Sequence, residues 1–138
     1  MKNTYNEGQN MAFGSTIPSQ MKTFTDPVSG RKIVKLTKEG INWHFYFTDN
    51  SFLTGDKAIY YFHADGDPHS KLTTELYKMD LETGISTQIS DLSSKFGTVS
   101  NFTKSPDGEL IAFVGDNDLY ALDPHTGENR LRGNSREP

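Results

Sequence analysis

The 138-residue sequence has no cysteine and a single tryptophan. The lack of cysteine excludes disulfides, thiolate metal sites and a cysteine nucleophile. Long apolar runs are missing too. The longest, Ala58–Phe62 and Leu110–Val114, are five residues each, against the ~20 that a bilayer-spanning helix needs. There is no excess of positive charge. Fourteen Lys and Arg stand against 18 Asp and Glu, a net charge of −4, which argues against a nucleic-acid partner. No window carries a sustained helical apolar stripe. What is present is 33% apolar and 12% aromatic residues, enough for a packed core. The length predicts about one domain.

Residues 1–21 are polar, with Gly and Asn recurring, and have no apolar stretch of the length a secretory signal requires. They read as a flexible leader, and the cytoplasm is the expected compartment, with no membrane partner.

The rest of the chain repeats. Asp26-Pro-Val-Ser-Gly30, Asp80-Leu-Glu-Thr-Gly84 and Asp123-Pro-His-Thr-Gly127 share an Asp-x-x-x-Gly form, spaced by 54 and 43 residues. Leu76-Tyr77 and Leu119-Tyr120 precede the last two, again 43 apart. An apolar strand, Ala58–Phe62 or Leu110–Val114, lies before each Leu-Tyr pair. Before that comes a turn, Ser105-Pro-Asp-Gly108 in the later unit. Asp and Asn bond their own backbone in turns, and Gly takes positive φ without steric cost. The intervening segments are rich in Ile, Val, Tyr, Phe and Thr, as strands are. Four short antiparallel strands per ~40–45 residues is the unit of a β-propeller blade. A β-sandwich also has short strands with regular turns, but it gives no reason for the Leu-Tyr element to recur.

The fold class is therefore all-β, an incomplete β-propeller of about two to two and a half blades over residues 22–131. The sequence predicts one strand of a first unit, one full blade and most of another. Residues 132–138 read as an irregular tail. A closed propeller has about four to eight blades, so exposed blade edges are expected, with self-association through them as one consequence.

Three stretches resemble oligogalacturonate lyases. They are Asp26-Pro27-x-x-Gly30-x-x-Ile33-x-x-Leu36-Thr37, the run His44–Phe52 leading to Ile59-Tyr-Tyr-Phe62, and Leu76-Tyr77-x-x-Asp80-Leu81-x-Thr83-Gly84-x-x-x-Gln88-Ile89-Ser90. The resemblance covers residues 22–131 and the first third of such an enzyme. It implies a seven-bladed propeller that degrades short pectin fragments by β-elimination, with an acidic oligosaccharide as substrate and manganese as a divalent cofactor. It also implies that the metal ligands and catalytic residues lie mostly in later blades, so this chain alone is expected to be inactive. The Leu-Tyr and Ser-Pro-Asp-Gly elements are shared with the interaction propeller of the Tol system and with the propeller of prolyl-oligopeptidase-type peptidases, and these are the competing readings.

In a propeller the innermost strand lines the central channel. Those strands are expected around Trp43–Asn50 and Val99–Lys104. Alternation places His44, Tyr46, Thr48 and Asn50 on one face, and Ser100, Phe102 and Lys104 on one face of the other strand. His44, Tyr46, Asn50 and Lys104 are the candidate substrate contacts. His63, Asp65, Asp67 and His69 fall within seven residues, but Gly66 and Pro68 mark a polar loop and the spacing matches no metal motif. His125 and Ser105 belong to turns.

Overall fold

The computed structural model describes residues 12–46, 48–65 and 73–133. These residues form eleven β-strands and no helix, and so no helix long and apolar enough to cross a membrane. The strands are β1 (Thr16–Ile17), β2 (Lys22–Thr25), β3 (Lys32–Lys35), β4 (Ile41–Trp43), β5 (Ala58–Asp65), β6 (Thr73–Asp80), β7 (Ser86–Gln88), β8 (Val99–Lys104), β9 (Ile111–Gly115), β10 (Asp118–Leu122) and β11 (Asn129–Gly133). They make three antiparallel sheets. The first has the order β1-β7-β6-β5-β4, the second β11-β10-β9-β8, and β2-β3 is a separate hairpin. Each larger sheet contains an up-and-down meander of four consecutive strands, the topology of a propeller blade, and β1 adds a fifth strand to the first.

The three Asp-x-x-x-Gly turns are built alike. Asp26 accepts the N–H groups of Val28 at 3.3 Å and Ser29 at 3.0 Å. Asp80 accepts those of Glu82 at 2.8 Å and Thr83 at 3.1 Å, and Asp123 that of His125 at 2.8 Å. In each, the Gly N–H returns to the Asp carbonyl at 2.7–2.9 Å, with the Gly at a φ of 69–75°. That backbone suits Gly and strains other residues. The sequence repeat is thus a repeat of one turn joining the last two strands of a unit.

Three expectations are corrected. The first unit contributes two strands, β2 and β3, because its Asp26–Gly30 turn closes a hairpin rather than starting one. Within the segment read as leader, Thr16–Ile17 is a strand that pairs with Ser86–Thr87, fixed by Gly14–Gln88 and Gln88–Ser15 backbone bonds of 2.8 Å. The irregular tail does not begin at 132. β11 runs to Gly133 and pairs with β10, completing the second sheet.

The core follows from the alternation of β5. Tyr60 and Phe62 point into one cluster with Phe45, Leu76, Ile89 and Leu92, which meets Ile111, Phe113 and Leu122 of the second sheet. Ile59 and Tyr61 point the other way, into a cluster with Tyr77, Met79, Ile17 and Leu36. The first sheet is therefore packed on both faces. The connection from β7 to the second sheet is clamped by Glu75, which is only 4% exposed. Its carboxylate accepts the Ser90 hydroxyl at 2.6 Å and the Leu92 and Ser93 N–H groups at 2.8 Å. A buried carboxylate is tolerated when its lone pairs are taken up in this way.

Candidate ligand site at the first strands of the two sheets

β4 and β8 are the outermost strands at one end of their sheets, and both leave an edge unpaired among the described residues. β4 is short. It pairs Ile41, Asn42 and Trp43 with Ala64, His63 and Phe62, and then the chain leaves the sheet. Residues 44–46 and 48–52 lie in a loop. The Phe45 N–H donates to the Ser51 hydroxyl at 3.0 Å, the Asp49 N–H to the Tyr46 carbonyl at 2.8 Å, and the Phe52 N–H to Asn50 Oδ1 at 3.0 Å. The buried anchor is Phe45, 1% exposed, its ring 5.3 Å from that of Phe62.

His44, Tyr46, Thr48 and Asn50 are accordingly not one face of a strand, because Asp49, Asn50 and Ser51 spend their hydrogen bonds on turns. Alternation holds only across Phe45, with His44 and Tyr46 exposed on either side of it. His44 Nδ1 contacts the Phe45 carbonyl oxygen, and Asn50 serves its own turn. The loop instead reaches the second sheet through Asp49, whose carboxylate accepts the Thr103 hydroxyl at 2.9 Å.

The face expected for Ser100, Phe102 and Lys104 is also corrected. A bulge lies between Ser100 and Thr103, which pair with Val114 and Ala112. Asn101 takes a φ of 56° there. The extra residue shifts the phase of alternation, so Val99 and Phe102 both pack against the core between the sheets. Lys104, half-buried at the end of β8, stands near Asp107. The carboxyl of Asp107 lies below the ordinary carboxylate range through the Ser105 hydroxyl, then the Glu109 N–H, with the Lys104 charge a smaller cause.

Two features of this region went unread in the sequence. Asp49–Thr103 is a contact across the two sheets, and nothing in either segment announces it. Trp43 is the other. Its ring stacks on Phe62 at 5.4 Å and 16°, and 41% of it remains exposed. Its signal was available as the only tryptophan, sitting at the end of a first strand.

The other histidines have structural settings. His63 is buried on β5, with Nδ1 2.7 Å from Asn42 Oδ1 and Nε2 3.0 Å from Asp65. Its ring meets the edge of Tyr77 at 5.3 Å. It borders a small cleft with Gln20, Thr37, Asn42, Tyr61 and Ser86, whose volume of about 10 Å³ suits a single water. Asp67 and His69 lie outside the described residues. His125 pairs with Glu109 at 2.5 Å on the surface. The Tyr60 phenol donates to the Gly108 carbonyl at 2.8 Å. Burial, reinforced by Glu109, Asp107 and Asp123, pushes it up to about 12.

Among the described residues, no three His, Asp or Glu side chains come together in a metal-holding group. The residues on view do not fit a manganese site.

With this geometry in hand, the comparison with solved structures is decisive for the fold. The chain is similar to an oligogalacturonate lyase in complex with manganese, at 25% identity and a TM-score of 0.68 over 88% of this chain. It is similar to the oligogalacturonate lyase of Vibrio parahaemolyticus at 23% identity and the same TM-score over 87%. The fold is a partial β-propeller of the kind those lyases have. The chain spans 31% and 30% of the length of those two proteins. No protein-family model matches the sequence, and no curated protein does either.

Proposed function

We propose that the protein carrying this chain cleaves short oligogalacturonides by β-elimination, in the cytoplasm, and that this section of it contributes substrate contacts rather than the proton-transfer groups. The observation that supports the reading is the likeness in fold, at a TM-score of 0.68, to an oligogalacturonate lyase in complex with manganese over 88% of the chain. In such an elimination a base removes the proton beside the uronate carboxylate, and the glycosidic oxygen departs. Negative charge grows on the carboxylate in the transition state, so a cation must meet it there. A divalent metal supplies that charge when bound. The described residues do not assemble its ligands.

What the chain's own residues supply is a rim. His44 and Tyr46 stand exposed beside Trp43, with Asn50 on the same loop and Lys104 across the seam on β8. The protein is net acidic, so attraction of an anionic sugar is local, and Lys104 is the cation of this rim. The test is incubation of the full protein with digalacturonate and manganese, followed by ultraviolet absorbance of the unsaturated uronate. Formation of the conjugated double bond is expected. Saturated products only, or none, overturn the assignment.

A further inference from the structure

We infer that Trp43 is a stacking platform for one galacturonate ring, a contact that rests on the reading of the protein as an oligogalacturonide lyase. Trp43 lies on the edge strand β4, its Cα opposite Phe62. One face of the indole is taken by Phe62, at 5.4 Å and nearly parallel. Phe62 is itself fixed by Phe45 at 5.3 Å and by the edge of Phe102 at 4.8 Å, the latter from the second sheet. The indole is thus held in one orientation by a stack that runs into the core. With one face taken, its 41% exposure falls on the other face and the edges.

Alternation along β4 places Ile41 on the same side as Trp43, also exposed, while Asn42 turns to His63 on the opposite side. The patch is apolar and preoriented. His44 and Tyr46, the latter 68% exposed, follow directly in the loop. Lys104 stands two residues from the Phe102 that touches Phe62. The one acidic group of the loop near this seam, Asp49, accepts the Thr103 hydroxyl.

This is the arrangement a galacturonate residue requires. Its axial O4 leaves the hydrogens of C3, C4 and C5 on one face of the ring. That face is apolar and carries partial positive charge, complementary to the negative face of an indole. The carboxylate and hydroxyls lie at the ring's rim, away from the stacked face. A rigid aromatic surface adds affinity because little ordering remains to be done on binding.

Trp43 is the sole tryptophan of these 138 residues, so with the 138-residue chain emission reports this site alone. Trigalacturonate is expected to shift the Trp43 emission and shield it from acrylamide, whereas maltotriose, with its equatorial O4, leaves both unchanged. In calorimetry Trp43→Ala is expected to weaken trigalacturonate binding by about three- to tenfold. Trp43→Phe, which keeps a ring on Phe62, should fall between the two. Heat of trigalacturonate binding with unaltered emission and quenching, or with equal affinity in Trp43→Phe and wild type, overturns the platform and leaves the proposed function standing. Equal responses to maltotriose overturn it as well. Absence of both heat and emission change overturns the platform and the substrate class together. Should Trp43→Ala fail to fold, the wild-type quenching and Trp43→Phe decide.

Discussion

The two blades come from one sequence unit but are buried differently. β5 is buried at seven consecutive positions, Ala58 to Ala64. β9 is buried only at every second position, with Ala112 and Val114 partly open. β5 contains an apolar run of five residues, and β9 takes up the last four of another, Leu110–Val114. The first run is packed between the second sheet on one face and β1 with Leu36 on the other. The second run has a neighbour on one face only among the described residues, and Leu110 at its start is exposed. An apolar run therefore marks a strand suited to cover on two faces, and the number of neighbours decides how much of it is covered.

The sharpest way to break this comparison is to truncate the two faces of β9 separately. Phe113 is fully buried and stacks on Phe102 at 5.2 Å and on Tyr120 at 5.6 Å. Phe113→Ala is expected to cost about 3–5 kcal/mol in urea unfolding. Val114→Ala, one residue along and on the opposite face, should cost less than about 1 kcal/mol. Equal losses would mean that both faces of β9 are packed alike.

Next in size is the clamp between the blades. Glu75→Gln keeps the shape but presents an amide N–H₂ to backbone donors at Leu92 or Ser93. A loss of about 1.5–3 kcal/mol is expected. Amide exchange at Leu92 and Ser93 should quicken more than at Phe113, because the bonds lost belong to the connection. Uniform quickening would show that the connection and the sheets open as one unit.

The repeated turn sharpens the comparison at a third level. Gly30 and Gly84 have nearly the same φ, 69° and 75°, but different surroundings. A Cβ at Gly30 meets nothing within 4 Å, whereas one at Gly84 comes within 2.3 Å of Ser19 Oγ and 2.4 Å of Met21 Sδ. Gly30→Ala should cost ~1 kcal/mol from the backbone alone, and Gly84→Ala ~2 kcal/mol as Ser19 and Met21 are displaced. Thermal unfolding of the two variants measures the difference. Equal costs would show that the 19–21 segment yields freely.

The turns and strand sequence were legible because each is local. Asp and Gly at fixed offsets dictate a turn, and the Leu-Tyr and apolar runs follow at constant distance. What was not legible is non-local or competes with strand geometry. β1 has only Thr16–Ile17 to reveal it, and it exists because β7 offers an edge. The segment after β4 has strand-like aromatics in its sequence, but Asn50 and Ser51 capture backbone N–H groups and turn the chain away. The bulge at Asn101 moved Phe102 onto the face Val99 occupies, so a count by twos misplaced Ser100. For the candidate site, the sequence pointed to two segments and named His44, Tyr46, Asn50 and Lys104, which lie in the loop after β4 and at the end of β8. The residues that tie the segments together, Asp49 with Thr103 and Trp43 with Phe62, depend on contacts across strands that no spacing encodes.

The smallest expected effect concerns the hairpin, where the same turn stands without a sheet to cover it. All eight residues of β2 and β3 are exposed, and Lys22 lies directly opposite Lys35. With little burial and a like-charge pair, the Asp26 turn carries a large share of the hairpin's order. The Ser29 hydroxyl, then the Ser29 and Val28 N–H groups, hold the Asp26 carboxyl below its ordinary 3.8. The folded turn thus favours the ionised form. Its contribution is complete above 3.8 and is lost as the pH falls through the lowered value of the folded state. Asp116, held down by the Thr98 and Gly97 N–H groups in the second blade, follows the same sign. Asp26→Asn keeps an acceptor for one N–H but removes the charge. Exchange of the Val28 and Ser29 amides, followed on an acid titration, should then lose its pH-dependent opening, while Gly97 and Thr98, whose acceptor is Asp116, keep theirs. An opening that persists in Asp26→Asn would place the acid sensitivity of the hairpin outside its turn.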